Sequence, residues 1–79
     1  MKKESQEYRV LKFIGDYIKT NLRAPTIVEI AAALEFKSNN SAVKHIDKLV
    51  EKNYISKIPA ISRGIKITAK GIRALGAAK

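Results

Sequence analysis

Residues 26–52 read Thr26-Ile-Val-Glu-Ile-Ala-Ala-Ala-Leu34, then Glu35-Phe36-Lys37, then Ser38-Asn-Asn-Ser-Ala-Val-Lys-His-Ile-Asp-Lys-Leu-Val-Glu-Lys52. Thr26 and Glu29 have the S/T-x-x-E spacing in which two side chains satisfy each other's backbone N–H groups, so a helix starts there. Pro25, just ahead, belongs outside a helix interior. Ser38 is a second capping candidate, with Asn39, Asn40 and Ser41 behind it. A helix over 26–34, a corner at 35–37 and a longer helix over 38–52 make a helix-turn-helix. In such a pair the second helix commonly enters the major groove of DNA.

Each helix offers one face to a core. Ile27, Ile30, Ala31 and Leu34 form that face on the first, and the small residues Ala31, Ala32 and Ala33 permit close approach of the second. Ala42, Ile46, Leu49 and Val50 recur at core-facing spacing on the second helix. Asn53 follows Lys52 and tolerates the left-handed conformation that ends a helix.

Upstream, Val10, Leu11, Ile14, Tyr17 and Ile18 make an apolar stripe at helical spacing, with Phe13 on its edge, and predict a helix over about 5–20. Gly15 within it costs about 1 kcal/mol against Ala and marks a close helix contact. Residues 21–25 read as a loop, with Leu22 as an inward anchor. Downstream the period becomes extended. Residues 54–58 form a short strand, 59–62 a turn and 63–68 a second strand with Ile65 and Ile67 on one face. Thr68 can cap a last short helix over about 69–78, with Ile72 and Leu75 as its apolar residues and Gly71 and Gly76 weakening it. Three helices, a hairpin and a short helix give a mainly α winged helix, a single domain over residues 1–79.

The charge balance agrees with a polyanionic partner. The 79 residues carry 16 Lys and Arg against 7 Asp and Glu, a net charge of +9. The excess is uneven: residues 1–38 hold seven basic and five acidic side chains, residues 39–79 nine and two. Such a balance suits nucleic acid or an anionic membrane surface, and equally a merely soluble basic protein. The first helix could lie on a membrane, but the chain supplies other apolar faces for its stripe to pack against. The longest apolar run, Ile30 to Leu34, is far too short to span a bilayer. Met1-Lys2-Lys3 is followed by polar residues, so no signal peptide is expected, and the expected compartment is the cytoplasm.

The chemistry-bearing residues gather on the outer face of helix 38–52. Asn40, Ser41, Lys44 and Lys48 fall together, with Lys52 one turn on. Like charges at i,i+4 cost a few tenths of a kcal/mol per pair, which an incoming anion offsets. A solvated lysine face is the plain alternative. Asn40 suits an adenine edge, Ser41 a base or phosphate, and Val43 a thymine methyl. Ser38 and Asn39 stand at the helix start, where free N–H groups favour phosphate. In the hairpin, Ser62 and Arg63, flanked by Lys57 and Lys66, suit a backbone or minor-groove contact, or form only a polar turn. His45 reads as a partly exposed residue beside the recognition face, in reach of phosphate.

Nothing points to catalysis. Asp47 stands two residues from His45 along a helix and points elsewhere. The chain has no cysteine and one histidine, so neither a metal site nor thiolate chemistry is expected. The glycines are scattered and form no phosphate loop, and no cofactor is expected.

The run Arg23-Ala-Pro-Thr-Ile-Val-Glu-Ile-Ala-Ala-Ala-Leu-Glu-Phe-Lys-Ser38 resembles the helix-turn-helix of LexA-type repressors. So does Ala42-Val-Lys-His-Ile-Asp-Lys-Leu-Val-Glu-Lys-Asn-Tyr-Ile55, and Ser62-Arg-Gly-Ile65 is similar to their wing. The resemblance covers about residues 8–67 and implies a winged-helix DNA-binding domain of a transcriptional repressor. Base readout would then fall to Ser38, Asn40, Ser41, Val43 and Lys44. The family commonly has Glu where Val43 and Lys44 stand, so the operator of its best-known members is not carried over. It has Gly where Glu35 stands. That suggests a left-handed corner: either the corner differs here or the chain accepts about 1 kcal/mol of strain. LexA-type repressors also carry a C-terminal self-cleaving peptidase domain. This chain stops at Lys79, so self-cleavage is not expected. Its tail is similar to the end of the wing in many small winged-helix regulators, where a last helix often pairs two subunits, so the resemblance allows a homodimer through that helix without settling it.

The expected function is therefore sequence-specific binding of double-stranded DNA by a transcriptional repressor. Helix 38–52 lies in the major groove and the wing touches the backbone or minor groove. The alternative is a winged-helix protein–protein interaction module of a mobile-element or replication complex. That use would place an apolar patch on the lysine face. A nonspecific coat for DNA or RNA ranks third.

Overall fold

The structure is a computed structural model that describes residues 5–58, 61 and 63–77. The order is α1 (Gln6–Asn21), α2 (Ile27–Ala33), α3 (Asn39–Glu51), β1 (Ile55–Lys57), β2 (Ile65–Ile67) and α4 (Ala69–Ala77). This is the winged-helix order expected from the sequence.

Ser5 caps α1 by accepting from the Tyr8 N–H at 3.1 Å. The α1 stripe delivers Val10, Leu11 and Ile14 to the core, each fully buried. The helix ends in a left-handed cap at Leu22, φ 60°, whose N–H reaches the Ile18 carbonyl at 2.8 Å. Leu22 is not the inward anchor expected: it is 88% exposed. The cap turns the chain, and Ala24 and Pro25 take the inward position instead.

At α2 the capping box forms in full. The Glu29 N–H donates to the Thr26 hydroxyl at 3.2 Å and the Thr26 N–H to the Glu29 carboxylate at 2.8 Å. The corner closes with the Phe36 N–H on the Ala31 carbonyl at 2.9 Å and the Glu35 N–H on the Ala32 carbonyl at 3.3 Å. Those two bonds are the Schellman pattern, and they put Glu35 in the left-handed region at φ 58°. The corner is therefore left-handed, as the resemblance suggested, and Glu35 bears the strain that glycine would avoid.

The second helix of the pair, α3, sends Ala42, Ile46 and Leu49 into the core, all fully buried. The same closing pattern ends it: Tyr54 N–H to Leu49 carbonyl at 2.9 Å and Asn53 N–H to Val50 carbonyl at 3.0 Å. Asn53 is left-handed at φ 65°, as its residue type allows.

The hairpin is antiparallel with Ile55 opposite Ile67 and Lys57 opposite Ile65. Its strands are shorter than the sequence suggests because backbone groups at both ends are used elsewhere. The Tyr54 N–H closes α3, and the Gly64 N–H turns back to the Ile61 carbonyl at 3.1 Å. The expected turn residues Pro59, Ala60 and Ser62 lie outside the described residues.

Thr68 links hairpin to last helix. Its hydroxyl accepts from the Gly71 N–H at 3.1 Å and sits 3.0 Å from the Tyr54 carbonyl oxygen. Gly71 is there for space: a Cβ would overlap that same carbonyl. Gly15 plays the expected contact role, since a Cβ on it would lie 2.9 Å from Leu75 of α4.

Candidate nucleic-acid interface

Burial of Ala42, Ile46 and Leu49 fixes the roll of α3 about its axis, and with it what the outer side presents. Asn39, Asn40, Lys44 and Lys48 are exposed, with Ser41 and Val43 half-buried beside them. Asn40, Lys44 and Lys48 are spaced by four residues and so share one face. Among the described residues, neither Lys44 nor Lys48 has an ion-pair partner.

Ser38 takes the cap position with extended backbone, yet its hydroxyl makes no bond to the helix N–H groups. It lies 3.5 Å from the Ser41 hydroxyl instead. The first-turn N–H groups of α3 therefore have no side-chain cap. That leaves them with the partial positive charge that attracts an anion.

Two residues expected at the interface are used elsewhere. His45 turns inward. Its Nδ1 lies 3.1 Å from a Glu7 carboxylate oxygen of α1, and its ring stands 5.3 Å from that of Phe36 at the corner. One residue beyond Lys44 is about 100° round the helix, enough to carry a side chain from the outer face to α1. Lys52 is drawn to the same carboxylate, at 4.0 Å.

Arg63 departs further from expectation. Its guanidinium lies against the start of α2 and does not project from the wing. Nη1 donates to Glu29 Oε1 and to the Ala24 carbonyl, both at 2.8 Å, and Nη2 donates to Glu29 Oε2 at 3.2 Å. Tyr17 of α1 adds its hydroxyl to Glu29 Oε2 at 3.1 Å. The forked pairing of a planar guanidinium with a carboxylate fixes orientation as well as distance. Arg63 and the Thr26 N–H hold the Glu29 carboxyl down at about 2, and the Arg63 guanidinium is raised in turn. Arg63 is thus the anchor that ties the wing to the helix-turn-helix. The sequence signal for it was partial. Glu29 was legible as a cap, but its second oxygen had no partner nearby in sequence, and the arginine comes 34 residues later.

Ser62 lies outside the described residues. Lys57 and Lys66 remain exposed on the strands. Among the described residues no group of three His, Cys, Asp or Glu could hold a metal ion, and no helix is long and apolar enough to cross a membrane.

A helix-turn-helix with a left-handed corner, a polar and lysine-bearing second helix and an anchored hairpin now stand together, and sequence relatives match the same residues. The model of the LexA DNA binding domain family matches residues 3–64. A LexA repressor of Lactiplantibacillus plantarum is 37% identical over 73 residues, covering 92% of this chain and 35% of the relative. One from Cellvibrio japonicus is 42% identical over 64 residues, covering 81% and 32%. One from Glaesserella parasuis is 36% identical over 63 residues, covering 80% and 30%. The chain spans about a third of the length of these curated relatives.

Proposed function

The chain belongs to the LexA DNA-binding domain family, and from that premise we propose that it reads a specific sequence in double-stranded DNA as the binding domain of a transcriptional repressor. In this reading α3 enters the major groove. Asn40 and Ser41 address base edges, Val43 meets a thymine methyl, and Lys44 and Lys48 meet phosphates. The uncapped N–H groups behind Ser38 and Asn39 receive a further phosphate. The wing, held in place by Arg63, brings Lys57 and Lys66 to the backbone or minor groove.

The observation that carries this reading is the division of α3. Three fully buried apolar residues fix its roll, and the opposite side shows amides, hydroxyls and ammonium groups that have no ion-pair partner among the described residues. A protein-contact module would want an apolar patch there, so the protein-interaction use of this face has less support.

Selection from a random duplex library at several salt concentrations tests the proposal. Enrichment of a defined sequence, with affinity that falls as salt rises, is the expected result. Binding with no sequence enrichment, or none to duplex, overturns it. A palindromic selected site would also report that two copies act together.

A further inference from the structure

A groove of about 1230 Å³ runs between α1, β2 and α4. None of the residues lining it comes from α3. Its floor is apolar, built from Ile67 and Leu75 where they meet Gly15, and Ile72 stands at its mouth with 62% of its surface exposed. Its rim is basic. Lys12, Lys19 and Lys66 line it, and the only acid among the lining residues is Asp16. Asp16 is already 3.4 Å from Lys12. Lys19 and Lys66 have no ion-pair partner among the described residues.

We propose that this groove is a docking site for an acidic amphipathic helix of a partner protein. The apolar side of that helix would cover Ile72, Leu75 and Ile67, and its carboxylates would meet Lys19. Size favours a polypeptide. The groove exceeds the roughly 300–1,000 Å³ usual for small-molecule sites, and a helix laid in a groove is a recurring mode of peptide recognition. Charge selects the occupant. A second copy would bring a like-charged rim and a net charge of +9 against the same +9, and a nucleic acid backbone has nothing to cover the isoleucines. Because neither α3 nor the wing lysines assigned to DNA are needed to hold it, peptide and duplex DNA bind together. The groove is thereby suited to recruiting a partner to DNA, a role beyond sequence reading and independent of it.

A display library of random 16-residue peptides, selected on the full chain, tests this. The expected winners combine Asp or Glu with apolar residues at i, i+3, i+4 and i+7, and shift the amide resonances of Gly15, Ile67 and Leu75. Ile72→Glu changes an exposed residue, so folding and duplex binding stay as they are while affinity for the selected peptide drops by about tenfold. Lys19→Glu weakens the same peptide and serves as the second variant should Ile72→Glu melt early. No enrichment, enrichment of neutral or basic peptides, or binding indifferent to both substitutions overturns the proposal. So does displacement of the peptide by duplex DNA, which would assign the groove to nucleic acid. A concentration-dependent dimer broken by Ile72→Glu would give it to a second copy and overturn the proposal equally.

Discussion

Replacing Lys44 and Lys48 together by alanine separates DNA contact from folding, because the two effects have opposite signs. Both ammonium groups are exposed and without an ion-pair partner among the described residues. Lys52 is left in place, since Glu7 at 4.0 Å already draws part of its charge. Each phosphate neutralised adds about 0.9 to the slope of log affinity against log salt, so losing two lowers it by ~1.8. Between about 50 and 200 mM salt, a fourfold change, wild-type affinity should then fall ~12-fold further than that of the variant. Stability should move the other way. The double change removes two i,i+4 lysine pairs and adds two strong helix formers, a gain of a few tenths of a kcal/mol each. Fluorescence anisotropy with a selected duplex at four salt concentrations gives the slopes, and a thermal melt gives the stability. An unchanged slope in a variant that melts at or above the wild-type temperature would refute the reasoning. The lysines would then meet no phosphate, and α3 would not lie along the groove.

Four other outcomes follow from the same contacts. Arg63→Ala should lower the melting temperature and speed amide exchange in β1 and β2; a variant whose melt and hairpin exchange match the wild type would remove Arg63 as the anchor of the wing. Gly71→Ala forces a Cβ into the Tyr54 carbonyl and should cost about 1–3 kcal/mol. Gly76→Ala, with nothing within 4 Å, should gain up to about 1 kcal/mol by helix propensity, so equal melts for the two would contradict the packing. Glu35→Gly relieves the left-handed strain at φ 58° and should add about 0.5–1 kcal/mol, which denaturant titration can read. The Glu29 carboxyl is lowered from 4.5 to about 2, so its stabilisation is fully present above about 4.5 and is lost as pH falls towards 2. Glu29→Gln should flatten that part of the stability–pH curve, and an undiminished acid slope would remove Glu29 from the account.

Most of the fold was legible because its signals are local. The Thr26–Glu29 box, the stripe of α1, the core positions of α3 and the left-handed role of Asn53 each lie within a few residues of one another. The corner at Glu35 was legible only through the resemblance, since nothing in glutamate itself suggests φ 58°. What escaped depends on partners distant in sequence. His45 stands 38 residues from Glu7, and Arg63 34 from Glu29. Arg63 was read as a basic group of the wing and His45 as a residue beside the recognition face, while the fold brought each to a carboxylate. Leu22 failed for the opposite reason. Its hydrophobicity suggested burial, but a left-handed cap set its direction.

Among the described residues, Asp16, Glu7 and Glu29 find basic partners, and this divides the basic side chains into two kinds. Asp16 holds Lys12 on an exposed surface, a pair of little consequence. Glu7 gathers His45 and Lys52 at one side of α3. Glu29 gathers Arg63, Tyr17 and the Thr26 N–H, and so joins the wing, α1 and the start of α2 at one carboxylate. The remaining cations of α3 and the strands, Lys44, Lys48, Lys57 and Lys66, have no such partner among the described residues. An arginine used internally gives the wing a fixed position, and lysines left free supply charge that can move to meet phosphate. In the proposed reading, specificity depends on a rigid scaffold presenting a short segment, residues 38–43. Affinity depends on a few flexible charges around it. Substitutions at Glu29 and Arg63 should therefore reach DNA binding through the geometry of the wing, and substitutions at Lys44 and Lys48 through electrostatics alone.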